Sequence, residues 1–288
     1  MTSFGSRVTR TPRCAAAIAS LAILASAGCA TPAQRVDREA SSLGYTRSLL
    51  QGRSFRHVVY ANGRSATGRT LHVYLDGDGS PYVDRWTVSP DPTPRHPLML
   101  RLMALDPDAA VYVGRPCYLG LASEPPCTAI DWTLGRFGPG VVDSLEGVIR
   151  RLRESSGATH VDLFGHSGGG TLAVLLAARL PDVRRIVTLA GNLDPDAWAD
   201  LHHYTRLSAS LNPARAGPLP GTIEQQHFAG GRDRVMPPGL VEPAAARLGA
   251  QGVVVLPDVA HTTGWEKEWP AILAGHRVQA PAGNYWKE

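Results

Sequence analysis

The chain predicts an α/β fold: a mostly parallel central sheet with helices on both faces. Three observations carry that expectation. The middle of the chain alternates short apolar, β-branched runs with longer helical patterns, as βα units do. Val141, Val142, Leu145, Val148, Ile149 and Leu152 recur at helical spacing just before an apolar run at 159–164. Asp78, Ser167, Asp233 and His261 all fall just past the ends of predicted strands, where parallel sheets collect their ligands.

The elements follow in order. Residues 1–28 read as a leader, 29–52 as a polar tether with at most a weak helix, and 53–288 as the folded domain. Roughly 260 residues remain after the leader, enough for one α/β domain with a large core. Residues 70–75 alternate like a strand and run into Asp76-Gly77-Asp78-Gly79. A strand at 110–113 follows. The run at 159–164 leads into Gly165-His166-Ser167-Gly168-Gly169, and then a helix at 171–180 stopped by Pro181. A strand is expected at 185–189. The segment from Asn192 to about Pro220 is too long for a simple connector and is expected to form a small cap. Strands are expected at 223–229 and 252–256, with a helix starting near Pro237 and Pro238 between them.

Strand, tight glycine turn, serine and helix make up a nucleophile elbow of the G-x-S-x-G form. A serine there needs a base to take its proton and an acid to orient that base. The downstream chain offers both at strand ends: Asp233 in Gly230-Gly231-Arg232-Asp233, and His261 five residues after Leu256. On these motifs, in this order, the chain resembles the α/β-hydrolase superfamily from about Arg56 to about Gly275. The resemblance implies an α/β-hydrolase fold in which Ser167 is the nucleophile, His261 the base and Asp233 the acid. A rival acid is Asp194, after the 185–189 strand, although Asp194-Pro195-Asp196 also reads as a helix start. The resemblance further implies an oxyanion hole made by the backbone N–H of Gly168 and that of Asp78. Asp76-Gly77-Asp78-Gly79 resembles the superfamily's His-Gly-x-Gly loop, with Asp76 replacing the histidine. A carboxylate aimed at a developing oxyanion would oppose catalysis, so both side chains should turn away, with Arg115 a partner for Asp76. Trp132 and Arg136 are expected to line the pocket or pin its loop. His202 and His203 read as a surface or pocket-wall pair, and His166 as structural.

The first 28 residues carry Arg7, Arg10 and Arg13 without an acid, then an apolar run ending at Gly28-Cys29. This is the pattern of a secretory signal, and its apolar run is short for a membrane span. Ala27-Gly28-Cys29 resembles the end of a bacterial lipoprotein signal. That resemblance implies lipidation of Cys29 and a place in the cell envelope, facing the periplasm or on the outer membrane; ordinary cleavage and secretion to the periplasm is the alternative. With Cys14 in the leader and Cys29 acylated, Cys117 and Cys127 remain as an even pair in an oxidising compartment, able to close a short loop.

The formal charge of +4 falls to about +1 without the leader arginines, so basicity is no argument for nucleic acid. Phosphate-loop, H-E-x-x-H and C-x-x-C motifs are absent from the sequence, and the expected chemistry needs no cofactor or metal. The expected partner is a small acyl substrate, with the membrane reached through Cys29. The expected activity is cleavage of carboxylic esters through an acyl-enzyme. Peptidase, thioesterase or acyltransferase chemistry on the same residues is an alternative, as is a non-catalytic binding protein.

Overall fold

Eight short segments pair into one sheet in a computed structural model that describes residues 30–67 and 69–275, with Met1, Thr2 and Gly5. The strands are β1 (Thr46–Gln51), β2 (Arg56–Ala61), β3 (Thr70–Leu75), β4 (Ala110–Val113), β5 (His160–His166), β6 (Val183–Leu189), β7 (Glu224–Gly230) and β8 (Val253–Leu256). Their order across the sheet is β1-β2-β4-β3-β5-β6-β7-β8. β2 runs antiparallel to β1 and β4; every pair from β4 to β8 is parallel. The mostly parallel sheet expected from the alternating pattern is what forms. β5 lies at its centre and is buried from Val161 to His166, as a strand covered on both faces must be.

The helices are α1 (Pro32–Ser42), α2 (Leu98–Met103), α3 (Pro139–Ser156), α4 (Gly168–Ala177), α5 (Pro195–Leu201), α6 (Pro238–Arg247) and α7 (Trp265–Leu273). α4 is wholly buried and packs on β5, β6 and α3. α2 packs on α7, whose Trp269 meets the ring of Phe164 of β5 edge-on at 5.3 Å. α3 begins with Pro139 at its first position and ends on Gly157 in the left-handed conformation, two end signals that need no tertiary context.

The folded unit begins at Pro32, which corrects the expected tether over 29–52. α1 buries Val36 and Ala40, and β1 pairs with β2 along its whole length. The region reads as polar because α1 shows only a narrow apolar stripe and β1 is a largely exposed edge strand; pairing, not burial, holds that strand in place. Apart from Met1, Thr2 and Gly5, the expected leader lies outside the described residues, as does Cys29. No helix among the described residues is long and apolar enough to cross a membrane. Cys117 and Cys127 are bonded to each other, a closure worth on the order of 2–4 kcal/mol.

Candidate active site

The turn between β5 and α4 is held in an unusual conformation. Ser167 has φ 51° and ψ −119°, a region that costs a residue with a side chain about 1–3 kcal/mol. Three backbone bonds fix it there. Its N–H donates to Leu189 O at 3.0 Å, and its carbonyl accepts from Gly170 N at 2.9 Å and Asn192 N at 3.0 Å. The flanking glycines are steric requirements. A Cβ on Gly165 would sit 2.7 Å from Gly170 N, and one on Gly169 would sit 2.7 Å from the Asp76 carbonyl oxygen.

The loops after β7 and β8 bring two further side chains to this turn. His261 Nε2 lies 3.2 Å from Ser167 Oγ, and His261 Nδ1 lies 2.8 Å from Asp233 Oδ2. The other Asp233 oxygen accepts from Val235 N at 2.7 Å and Met236 N at 2.8 Å. Burial raises the Asp233 pKa, but the His261 hydrogen bond and charge and the two N–H donors outweigh it and hold the carboxyl below its ordinary value. Serine, imidazole and carboxylate, which are 94 and 28 residues apart along the chain, thus form one hydrogen-bonded row. Asp194, the rival acid, instead caps α5 through Ala197 N and pairs with Arg247.

The carbonyl of His261 is held as firmly as its ring. It accepts from Trp265 Nε1 at 3.0 Å and lies 2.7 Å from His166 Nε2. Burial, and then the charge of His261, push the His166 pKa down to about 3, so His166 is neutral and its Nε2–H is the donor. Sequence reading classed His166 as structural and missed this contact. Only its place inside the elbow motif hinted at it.

The loop after β3 departs from expectation in its ion pairs. Arg115 pairs with Asp78 rather than with Asp76: Arg115 Nη1 reaches Asp78 Oδ1 at 2.5 Å, and Arg136 Nη1 reaches Asp78 Oδ2 at 2.7 Å. The reason is reach. Asp76 turns into the core, where its Oδ1 accepts from Gly77 N at 2.9 Å, whereas Asp78 lies between the two guanidinium groups. Burial raises the Asp78 pKa, but the two arginines more than reverse it. Two cations therefore neutralise the carboxylate beside the serine, and it packs against Cα of Gly168. Tyr118 OH braces the same loop by donating to the Asp78 carbonyl, and Arg115 Nη2 is itself anchored on the Arg136 carbonyl. The N–H of Gly168, at the open first turn of α4, and the N–H of Asp78 donate to no protein acceptor among the described residues.

Asp76 is a buried carboxyl without a full counter-charge, and burial raises its pKa to about 7. The unfolded chain releases that proton near pH 4. Between about pH 4 and 7 the folded state therefore binds more protons than the unfolded one, and stability falls as pH rises through that window. Asp76→Asn keeps an acceptor for Gly77 and removes the ionisation. Its gain in urea midpoint over the parent is expected to grow from pH 4 to pH 8; a constant difference across that range would contradict the shift.

These groups open into a cavity of about 1300 Å³. Trp198, His202 and Tyr204, from the 192–220 segment, form one wall as a ring cluster with centroids 5.3–5.7 Å apart. His203 lines it too. Arg136 both lines the pocket and pins Asp78, while Trp132 ties down the opposite loop through Ser89 O at 3.1 Å. Elsewhere, His57 Nε2 meets Ser144 Oγ at 2.8 Å, but both residues are wholly buried and no substrate can reach them. Among the described residues, His72, Asp106 and Asp108 could offer three metal-ligand atoms within 4.8 Å. His72 Nδ1 and Tyr74 OH already bond Asp106 Oδ2.

A family model described as alpha/beta hydrolase fold matches residues 104–216. No curated protein matches the chain. Among solved structures, a Pyrococcus furiosus esterase is similar at 13% identity and TM-score 0.55, covering 86% of this chain and 95% of that one. A bacterial membrane phospholipase A is similar at 16% identity and TM-score 0.57, covering 91% and 97%. A Xanthomonas campestris serine hydrolase without a lid is similar at 17% identity and TM-score 0.51, covering 83% and 96%. At such identities the likeness is one of architecture. The chain has the α/β-hydrolase fold.

Proposed function

We propose that this protein is a serine hydrolase of the cell envelope that cleaves carboxylic esters through an acyl-enzyme on Ser167. The observation that carries the reading is the hydrogen-bonded row Ser167–His261–Asp233 at a strained strand-to-helix turn. Ser167 Oγ attacks the acyl carbon while His261 Nε2 takes its proton. Asp233 holds the ring through Nδ1 and stabilises its charged form. The Gly168 and Asp78 N–H groups, which have no acceptor among the described residues, receive the developing oxyanion. His261 then protonates the leaving alcohol and activates the water that releases the acid. The esterase and the phospholipase A among the similar structures support esters as the bond cleaved. The signal-like first 28 residues and the lipoprotein-like Cys29 support the envelope and a lipid anchor.

A fluorophosphonate probe tests this reading. The adduct is expected on Ser167, and folded protein that hydrolyses no ester in a substrate panel and takes no label would end it. His166 acts on the reaction by positioning the base. His166→Phe keeps a planar aromatic ring but removes the donor to the His261 carbonyl. It is expected to lower kcat about tenfold at unchanged KM, the cost of about one hydrogen bond. A change in KM alone would show that His166 merely shapes the pocket.

A further inference from the structure

Large apolar side chains left in water are not spread evenly over this domain. Tyr82, Val83, Trp86, Val88, Tyr204 and Val235 are all exposed, and four of them (Tyr82, Trp86, Tyr204 and Val235) line the mouth of the catalytic cavity. Trp86 is 84% exposed, Tyr204 57% and Val83 56%. Trp86 stands on a built support. Tyr82 bridges Val88, and Val83 N donates to Thr87 O at 2.9 Å. Asp84 Oδ1 accepts from Trp86 N at 2.8 Å and Thr87 N at 2.9 Å. A rigid tip that holds an indole and a valine out in water fits neither a core nor a flexible linker.

Charge indicates what covers this rim. Arg85, Arg95 and Arg234 stand on or beside it, and none makes an ion pair among the described residues. Arg85 instead lies over the Trp86 ring at 5.5 Å. Exposed indole next to unpaired guanidinium groups suits the interface of an anionic bilayer, where rings sit at the headgroups and cations meet phosphate.

We propose that the rim formed by the Tyr82–Val88 hairpin, Tyr204 and Val235 is a docking surface for an anionic lipid bilayer, and that the site draws its ester substrate from that bilayer as an acyl lipid. The second half rests on the hydrolase reading above; the first does not. The test uses the chain carrying Cys29→Ser, so that no acyl anchor contributes, and vesicles of phosphatidylcholine with or without phosphatidylglycerol. Binding is expected to the anionic vesicles in preference to the neutral ones. Val83→Asp is expected to weaken it about tenfold or more while hydrolysis of a soluble short-chain ester stays unchanged, and Trp86→Ser is expected to lose binding likewise. Absence of binding, or equal binding by Val83→Asp, overturns the proposal. A concentration-dependent dimer that Val83→Asp dissolves, without vesicle binding, also overturns it in favour of an interface between copies. Vesicle binding by a protein that hydrolyses no ester supports the docking surface and removes the hydrolase reading instead.

Discussion

Ser167→Ala is expected to abolish ester hydrolysis to within the residual activity of the pocket, a drop on the order of 10⁴–10⁶ in kcat. The size follows from what the hydroxyl does. Without it no acyl-enzyme forms, and only the oxyanion donors and substrate binding remain. The protein should nevertheless fold as the parent does, because among the described residues Ser167 Oγ bonds only His261. Alanine inherits the positive φ of 51° and hence the strain, so its urea midpoint should stay near that of the parent. Ser167→Gly should be equally inactive yet more stable by about 1 kcal/mol, since glycine adopts such angles freely. Steady-state kinetics and urea unfolding on the three proteins check both halves. Retention of more than a hundredth of the activity by folded Ser167→Ala would remove Ser167 from the chemistry.

Asp78→Ala is expected to give the largest loss of stability of any single change at the site. Arg115 and Arg136 are both buried, with side chains 3% and 7% exposed, and Asp78 is the carboxylate they share. Its removal leaves two guanidinium groups close together with no counter-charge, and breaking a buried pair of this kind costs about 3–5 kcal/mol. Arg136→Met is the informative contrast. It leaves Asp78 paired one-to-one with Arg115, so its cost should be clearly smaller. The urea midpoints of the two variants should therefore differ in that order. Asp78→Ala should also lower kcat, because losing the two arginine bonds frees the loop whose residue 78 N–H is assigned to the oxyanion. Equal midpoints would mean that solvent, rather than the carboxylate, compensates the arginines.

Six of the eight strands, β3 to β8, could be read from the sequence because each is a short apolar or alternating run next to a turn or helix signal. Residues 70–75 and 110–113 coincide with β3 and β4, and β5 to β8 differ from expectation by a residue or two at their ends. Reading missed β2, although His57 to Tyr60 are buried, and it missed α1, β1 and α2. α1 and β1 carry polar sequences because one side of each meets water, and α2 is a six-residue apolar stretch too short to show a period. The residues at the site divide in the same way. Ser167, Asp233 and His261 stand at strand ends with local signals of their own, and the structure brings them within hydrogen-bond reach. The pairing of Arg115 with Asp78 could not be read, because a two-residue difference along a loop reverses which carboxylate faces the pocket. His166 shares a motif with Ser167, yet its contact with the His261 carbonyl spans 95 residues and leaves no trace in local sequence.

The two lateral margins of the sheet have a consequence of their own. β1, at one margin, is hydrophilic and mostly exposed, and its Arg47 bonds Asp37 of α1. β8, at the other, is only four residues long and runs directly into Pro257. Short, charged or proline-ended borders discourage a foreign polypeptide from extending the ladder. Enlargement of this sheet by backbone zippering is therefore disfavoured from either flank.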